Sequence, residues 1–267
     1  AAIRMLAEIA SRIGRYSDAE NLLTRCLELA PGFKAARHNY AVVLHRNNKP
    51  VEALAQIDQL LAADPRSPSF RNLKAAVLAR VGEYDEAIRL FEQLLREYAL
   101  QAKVWLSYGH ALKTAGRQDD SIAAYRKSIE LEPRLGEAYW SLANLKTFRF
   151  TETDVAAMRA QLERSDLTQE DRFHFHFALG KAAEDAKDYP GSFHHYAEGN
   201  RLRKEVVPYD SGTVSENVRR SRALFTPGFF AARHGVGCAA PDPIFVVGLP
   251  RSGSTLVEQI LSSHSAI

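Results

Sequence analysis

Residues 70–100, FRNLKAAVLARVGEYDEAIRLFEQLLREYAL, decide the fold of this chain. They read as two helices joined by a short turn at Gly82, because glycine tolerates the left-handed backbone that reverses a chain between helices. The small side chains of Ala75 and Ala87 allow the two helices to approach each other closely. The larger ring of Phe91 is placed to fill the space towards the next unit. The stretch therefore predicts a helix–turn–helix unit that is built to be stacked.

The same unit recurs every 34 residues along the first half of the chain. Pro31 and Pro65 are separated by one period, and Pro133 lies three periods after Pro31. Each proline marks the end of a second helix, since proline cannot continue a hydrogen-bonded helix. One unit cannot bury its own apolar face, so stacking must supply the core. The repeating columns are small residues in the first helix (Ala7, Ala41, Ala75, Gly109, Ala143), turn residues (Gly14, Asn48, Gly82, Gly116), small residues in the second helix (Ala19, Ala53, Ala87, Ser121) and large residues that follow them (Leu23, Ile57, Phe91, Tyr125).

These columns resemble those of the tetratricopeptide repeat family over residues 1 to about 145. The resemblance implies a right-handed α-solenoid. After Leu145 the register is lost, and residues 146–172 are interpreted as an irregular helical insert, with helix starts near Thr151 and Thr168. The pattern returns over residues 173–206, which predicts one more repeat.

By analogy with that family, residues of the first helices line the concave face of the solenoid. The side chains at these positions are polar, and more of them are basic than acidic, which favours an acidic peptide or protein partner. The alternative interpretation is that they are solvated residues on exposed helix faces. The residues concerned are His38, His45, Arg46, Asn72, Arg80, Lys103, His110 and Lys113.

A second kind of structure is predicted to begin after Pro241-Asp242-Pro243, because closely spaced prolines disfavour helix. Residues 244–247, Ile-Phe-Val-Val, are short, apolar and β-branched, as a buried parallel strand should be. A loop with two glycines follows over residues 248–255, and apolar residues then recur at helical spacing from Leu256 to Leu261. The order is strand, loop, helix.

This order is suited to binding an anion of phosphate size. Main-chain amides at the loop and at the helix start have no internal partners, and the helix dipole adds positive charge there. Arg251 can offer two parallel hydrogen bonds to phosphate or sulfate oxygens. The loop nearly fits the G-x-x-x-x-G-K-(S/T) signature of nucleoside triphosphatases, but Ser254 stands where that signature needs lysine, which disfavours a triphosphatase or kinase. The plain alternative is an ordinary strand-to-helix turn with serine capping.

Residues 245–256, FVVGLPRSGSTL, resemble the 5′-phosphosulfate-binding loop of sulfotransferases, in the Pro-Arg-Ser-Gly-(Ser or Thr)-Thr form of the tyrosylprotein sulfotransferase-like branch. Residues 258–264 and 173–203 resemble bacterial proteins that fuse tetratricopeptide repeats to a sulfotransferase domain. The resemblance implies sulfuryl transfer from 3′-phosphoadenosine 5′-phosphosulfate to an acceptor hydroxyl, with Arg251 stabilising charge on the leaving phosphate. The donor-binding residues it implies are Gly248, Pro250, Arg251, Ser252, Gly253, Ser254 and Thr255.

The sequence thus predicts a mainly α-helical chain in three parts. Residues 1–210 form the repeat solenoid, residues 211–240 a helical linker, and residues 241–267 the first strand–loop–helix of a P-loop-like α/β sulfotransferase domain. The catalytic base is expected downstream, so these residues alone are expected to be inactive. The sequence does not distinguish between a peptide tyrosine, a carbohydrate and a small molecule as the acceptor of the sulfuryl group. The alternative function is a non-catalytic scaffold for protein–protein interaction.

Composition adds a few restrictions. The formal net charge of +3 is too small to indicate nucleic-acid binding. Cys26 and Cys238 do not make a disulfide framework, which favours a reducing compartment such as the cytoplasm. No apolar stretch reaches the length of a membrane span. Residues 200–235 carry seven basic and three acidic side chains, which either border a cleft for an anionic cofactor or form a solvated face.

Four histidines in the last predicted repeat raise the question of a metal site. His174 and His176 lie two positions apart, so on one helix their side chains point in different directions. The neighbours His194 and His195 diverge in the same way. The spacing therefore predicts no metal site.

Overall fold

The computed structural model describes residues 2–145, 147–207, 209–237, 244–248 and 252–265. The chain divides into two compact units, Ala1–Pro208 and Tyr209–Ile267. All regular secondary structure within the described residues is α-helical.

The first unit is a row of helices in which each pair is joined by a short turn. Within the described residues, the four leading pairs follow the 34-residue period of the sequence, and further helices follow them. The helices are α1 (Ala2–Arg12), α2 (Tyr16–Leu29), α3 (Lys34–Arg46), α4 (Pro50–Ala63), α5 (Pro68–Val81), α6 (Tyr84–Glu97), α7 (Ala102–Thr114), α8 (Gln118–Leu131), α9 (Gly136–Ala143), α10 (Glu152–Leu162), α11 (Gln169–Asp185) and α12 (Tyr189–Val206). This arrangement confirms the predicted helical repeat solenoid.

The turn column of the sequence is confirmed by the backbone. Gly14, Gly82 and Gly116 have φ values of 78°, 96° and 80°, and Asn48 has a φ of 59°. All four lie in the left-handed region, which glycine and asparagine tolerate best. The turn residues therefore fix the reversal between the two helices of each repeat.

The small and large columns together build the core. Ala41 and Ala53 are fully buried where α3 meets α4, and Ile57 is fully buried beside them. Phe91 and Tyr125 occupy the equivalent positions in the next two repeats and are also fully buried. The large residues thus fill the space that the small residues leave between neighbouring helices.

We expect Ile57→Val to lower the free energy of unfolding by about 1 kcal/mol, because it removes one buried methylene group and leaves a small cavity. The measurement is urea-induced unfolding followed by circular dichroism. Val51→Ala in the same helix is the control, since Val51 is 71% exposed and should change stability by less than about 0.5 kcal/mol. Equal effects of the two substitutions would contradict the assigned core.

The regular array changes after α9. Thr151 caps α10 by accepting a hydrogen bond from the amide of Asp154, while the carboxylate of Asp154 accepts one from the Thr151 amide. That carboxylate is also held by both terminal nitrogens of Arg126. Two helix starts predicted in the insert are therefore present, at Thr151 and at Thr168.

Helix α9 packs directly against α11, and the two run side by side in the same direction. The amide of Gly136 donates to the Asp171 carboxylate at 2.9 Å. Further along, the rings of Tyr139 and Phe175 have centroids 5.1 Å apart. This close parallel contact replaces the wider spacing of the leading repeats.

The last helical pair, α11 and α12, begins earlier than predicted. The sequence predicts the helix start at Thr168 as part of the insert and the last repeat from Phe173, whereas in the structure both belong to one helix, α11, which begins at Gln169. The hydroxyl of Thr168 accepts a hydrogen bond from the amide of Asp171, and this cap starts the helix one turn sooner. The turn before α12 contains Lys187 with a φ of 62°.

The second unit contains α13 (Ser211–Leu224), α14 (Pro227–Ala231) and α15 (Ser254–Ser262) within its described residues. Asp210 caps α13, and its carboxylate accepts from the amides of Gly212 and Thr213. The rings of Phe225, Phe229 and Phe230 form a cluster around α14, although two of them remain more than half exposed.

Residues 244–248 have no regular secondary structure within the described part of the chain, so the strand predicted over residues 244–247 is not confirmed. A strand is held by hydrogen bonds to a neighbouring strand, and the described residues contain no such neighbour. Phe245 and Val247 are accordingly 85% and 91% exposed. The apolar, β-branched composition predicted a buried strand, whereas the described residues are exposed because no neighbouring strand covers them.

Candidate functional site

The predicted anion-binding loop leads into α15, and Gly253 is the residue that starts this helix. Its φ of 88° and ψ of 15° place it in the left-handed region. Because glycine has no side chain, this N-cap offers no acceptor to the first amides of the helix. Ser254 and Thr255 open the helix, so their amides and hydroxyls lie at its positive end.

Gly248 lies close to the side chain of Ser252. A Cβ atom added to Gly248 would lie 2.5 Å from the Ser252 hydroxyl oxygen, so a larger residue at position 248 requires this side chain to move.

Three residues of the loop, Leu249, Pro250 and Arg251, lie outside the described residues. The predicted donor-binding residues Gly248, Ser252, Gly253, Ser254 and Thr255 are described, and they lie within one short segment. Cys238 and residues 241–243 also lie outside the described part of the chain.

The second candidate site is the surface formed by α1, α3, α5, α7, α9 and α11, which we call the inner groove. Its cavities have volumes of about 400, 270 and 360 Å³, between α1 and α3, beside α5 and α7, and between α7, α9 and α11. The last two share Ser107 and His110, so they are neighbours along the surface. A fourth cavity of about 360 Å³ lies where α5 faces the start of α7.

Most of the residues predicted for the groove line these cavities. His38 and Arg46 line the first, His45, Arg80 and His110 the second, and Lys103 with His110 the third. Asn72 lines the cavity between α5 and α7. Lys113 lies in the last turn of α7 and lines none of these four.

The groove also contains acidic side chains that the sequence reasoning missed. Glu137, Glu170 and Asp171 line the cavity between α7, α9 and α11. The imidazole of His110, with Nε2 3.6 Å from Oε1 of Glu137, holds the pKa of Glu137 below its usual value against the effect of burial. The missed residues belong to the irregular part of the array, where no repeat column pointed to them.

Several buried polar atoms in this groove have no hydrogen-bond partner among the described residues. They are Nδ1 of His45, Oδ1 of Asn72 and Nδ1 of His174. Unpaired buried polar groups reduce stability, so a ligand that pairs with these three atoms would gain binding energy from the contact. Two further unpaired atoms, Oε1 of Gln161 and Oδ2 of Asp185, lie outside the groove cavities.

A histidine cluster lies outside the groove, between α11 and α12. As expected from helical spacing, His174 and His176 diverge, but the structure brings His176 to His195 on the neighbouring helix, with their Nδ1 atoms 3.1 Å apart. Sequence reasoning compared histidines only within a helix and therefore missed this pair. Burial, followed by the nearby His195, lowers the pKa of His176 to about 4, and burial also lowers the pKa of His195.

We expect the chain to lose stability as the pH falls from about 7 to about 5. The unfolded His176 takes up a proton near pH 6.5, whereas the folded one resists protonation down to about pH 4, so acid favours the unfolded state. Since His176 is only half-buried, we expect this group to contribute roughly 1–2 kcal/mol over that interval.

The measurement is urea unfolding of the wild type and of His176→Gln at both pH values. Glutamine keeps a hydrogen-bonding group towards His195 but does not titrate, so its stability should vary less with pH. His234→Gln in the second unit is the control. A pH dependence that is unchanged by His176→Gln would contradict the assignment.

Models of two kinds of protein family match separate parts of the chain. Two tetratricopeptide repeat models match residues 13–77 and 72–143. A sulfotransferase family model matches residues 243–267. None of the helices within the described residues is long and apolar enough to cross a membrane.

Relatives and solved structures give a consistent picture of the repeats. An uncharacterized protein of Aquifex aeolicus strain VF5 is 27% identical over 200 residues, 75% of this chain but 26% of that protein. The tetratricopeptide repeat-containing protein YpiA of Bacillus subtilis strain 168 is 24% identical over 126 residues, 47% of this chain and 30% of YpiA. The chain thus spans less than a third of the length of these relatives.

Among solved structures, a thermophilic tetratricopeptide-repeat protein of Thermus thermophilus has a TM-score of 0.55 at 21% identity, covering 67% of this chain and 97% of the other. PilF of Pseudomonas aeruginosa has a TM-score of 0.53 at 17% identity, covering 82% and 96%. At these identities the likeness concerns the fold alone. The chain is therefore a helical repeat solenoid that resembles tetratricopeptide-repeat proteins.

Proposed function

We propose that the chain joins a repeat scaffold for protein binding to the beginning of a sulfotransferase domain that uses 3′-phosphoadenosine 5′-phosphosulfate. The observation that carries the proposal is the sulfotransferase family match over residues 243–267, which covers the loop around Arg251. In this proposal residues 1–210 are the scaffold, residues 211–240 a linker, and residues 241–267 the opening of the catalytic domain. The acceptor is a hydroxyl group.

The geometry of the described part of the loop supports the proposed binding of the 5′ end of such a donor. Gly253 directs the chain into α15 through a left-handed conformation, and Gly248 lies against Ser252. The amides of Ser252, Gly253, Ser254 and Thr255 would surround the anion, with hydroxyls of Ser254 and Thr255 adding contacts. Arg251 would bind the same group and stabilise the charge that develops on the leaving phosphate. Pro250 would restrict the backbone before Arg251.

The test is calorimetric titration of the complete protein with 3′-phosphoadenosine 5′-phosphosulfate and, separately, with ATP. We expect the phosphosulfate nucleotide to bind in preference to ATP, because the loop lacks the lysine of triphosphatases. Preference for ATP would refute the sulfotransferase assignment in favour of a triphosphatase or kinase.

Arg251→Ala should weaken donor binding in the complete protein by about 30-fold, which corresponds to the loss of about 2 kcal/mol of charge-assisted hydrogen bonding. Arg66→Ala is the matched control, because Arg66 is exposed between α4 and α5 of the repeats. Unchanged donor affinity in Arg251→Ala would remove Arg251 from the proposed site.

A second function, binding of an acidic peptide or protein in the inner groove, is supported by its own observations. The cavities lie along the same row of first helices, and their lining includes Arg46, Arg80 and Lys103. Repeat arrays present extended concave surfaces that suit peptides. Peptide binding in the groove does not depend on sulfuryl transfer. A non-catalytic scaffold for protein–protein interaction is therefore the alternative to the enzyme.

A further inference from the structure

The charge of the inner groove changes sign along its length. On the side of α1, α3 and α5, the cavity-lining charges are Arg4, Arg12, Arg46 and Arg80, against the single acid Glu8. Glu8 is already paired with Arg4 at 3.2 Å. Arg12 and Arg46 have no carboxylate partner among the described residues. This half of the groove is therefore positive.

The positive charge of this half of the groove also affects the pKa of a neighbouring histidine. Burial lowers the pKa of His45, and the guanidinium groups of Arg80 and Arg46 lower it further. A neutral His45 adds no charge of its own near neutral pH. Unpaired arginines at the surface of a cavity attract carboxylates and repel cations.

The other half of the groove, beyond Ser107 and His110, is negative. Glu137, Glu170 and Asp171 face one cavity, and Lys103 is the basic residue that lines it. Glu137 is held ionised by His110. The Asp171 carboxylate is committed to the Gly136 amide and the Thr168 hydroxyl. Glu170 has no ion-pair partner among the described residues, so Glu137 and Glu170 set the sign.

We infer that the groove takes an extended peptide of mixed charge: an acidic segment over α1, α3 and α5, continued by lysine or arginine over the cavity between α7, α9 and α11. The inference rests on the proposed use of the groove as a peptide-binding surface. A peptide that is acidic throughout is repelled at Glu137 and Glu170, so these residues limit the length of the acidic segment and fix the register of the peptide.

The sign change also gives the bound peptide a direction. A chain that enters with its acidic end at α7 places carboxylates beside Glu137 and cations beside Arg46. Both contacts are unfavourable, and the energy of like-charge contacts adds to the loss of the favourable ones. One order of charges along the groove is therefore preferred over the reverse.

The test uses the 267-residue chain and three fluorescein-labelled peptides: hexaglutamate, hexaglutamate-Gly-Ser-trilysine and trilysine-Gly-Ser-hexaglutamate. Fluorescence anisotropy gives their affinities at low and at physiological salt. We expect both mixed peptides to bind about tenfold more tightly than hexaglutamate, because each can place its glutamates at the positive half and its lysines at the negative half. The advantage should shrink as salt screens the charges.

Two double variants test which residues cause the difference in affinity between the mixed peptides and hexaglutamate. Glu137→Gln with Glu170→Gln should abolish the advantage of the mixed peptide and leave hexaglutamate binding equal or tighter. Arg46→Gln with Arg80→Gln should weaken all three peptides. Circular dichroism of each variant reports whether the helices are intact, and both substitutions in each pair are at cavity-lining positions outside the buried core.

The outcomes separate this inference from the function on which it rests. If hexaglutamate binds and neither mixed peptide binds more tightly, the divided groove is overturned while acidic-peptide binding stands. If the advantage survives Glu137→Gln with Glu170→Gln, the negative half is assigned to the wrong residues and the inference fails. If none of the three peptides binds, the groove is not a site for acidic peptides and both statements fail.

Discussion

Replacing Gly136 by alanine is expected to lower the free energy of unfolding by about 3 kcal/mol, a large part of the stability of a domain. A Cβ atom at this position would collide with the main-chain carbonyl oxygen of Asp171 in the first turn of α11. The carbonyl carbon and Cα of Asp171 lie 3.0 Å from the same point. Main-chain atoms inside a helix cannot rotate away, so the helices must separate.

Separation of α9 from α11 would also break other contacts. The hydrogen bond from the Gly136 amide to the Asp171 carboxylate depends on the present spacing. So does the packing of Tyr139 against Phe175, both of which are almost fully buried. Helix α12 packs against α11. We therefore expect the pair α11 and α12 to unfold before the rest of the repeats.

The measurement is urea unfolding followed by tryptophan fluorescence and by circular dichroism. The rings of Trp140 and Phe177 have centroids 5.4 Å apart across the α9–α11 contact, so the emission of Trp140 reports this contact directly. Gly32→Ala is the matched control, because a Cβ at Gly32 would meet nothing within 4 Å. A Gly136→Ala variant as stable as Gly32→Ala would show that α9 and α11 are not in contact at this point.

The leading repeats could be predicted from the sequence because each column carries a local physical requirement. The backbone conformation of Asn48 and Gly82 follows from the turn itself, and the burial of Ala53 and Ile57 follows from the period. These requirements recur in each unit, so several independent positions point to the same fold.

The contacts beyond α9 could not be predicted in the same way. The approach of Gly136 to Asp171 and the pairing of His176 with His195 join residues from different helices of an irregular stretch. No repeat column relates them, and helical spacing within one segment is silent about the neighbouring helix. The acidic half of the groove was missed for the same reason.

Only part of the predicted anion-binding loop could be predicted from the sequence. The helix after the loop was predicted from apolar residues at helical spacing, and α15 is present, but the left-handed conformation of Gly253 was not predicted. The strand predicted before the loop is not formed among the described residues, because a strand needs hydrogen bonds to a neighbouring strand. Amino-acid pattern therefore predicted the local helix better than the segment that needs tertiary contacts.

In the complete protein, Gly253→Val is expected to weaken binding of 3′-phosphoadenosine 5′-phosphosulfate by about 100-fold, on the proposed function. At a φ of 88° a β-branched residue meets severe steric conflict, which costs about 2 kcal/mol or more. The backbone relieves this conflict by turning away from the left-handed region. The amides of Ser254 and Thr255 then no longer point to the same place, and their contribution to anion binding is lost.

Gly253→Asn provides a control at the same position. Asparagine adopts the left-handed conformation far more readily than valine, so this variant should keep donor affinity within about fivefold of the wild type. Calorimetry gives the affinities, and the unfolding transition followed through Trp105 and Trp140, both in the repeat unit, shows whether the scaffold is intact. Wild-type affinity in Gly253→Val would mean that the donor is not held by amides aligned through this residue. Equal losses in the valine and asparagine variants would assign the effect to the added side chain rather than to the backbone conformation.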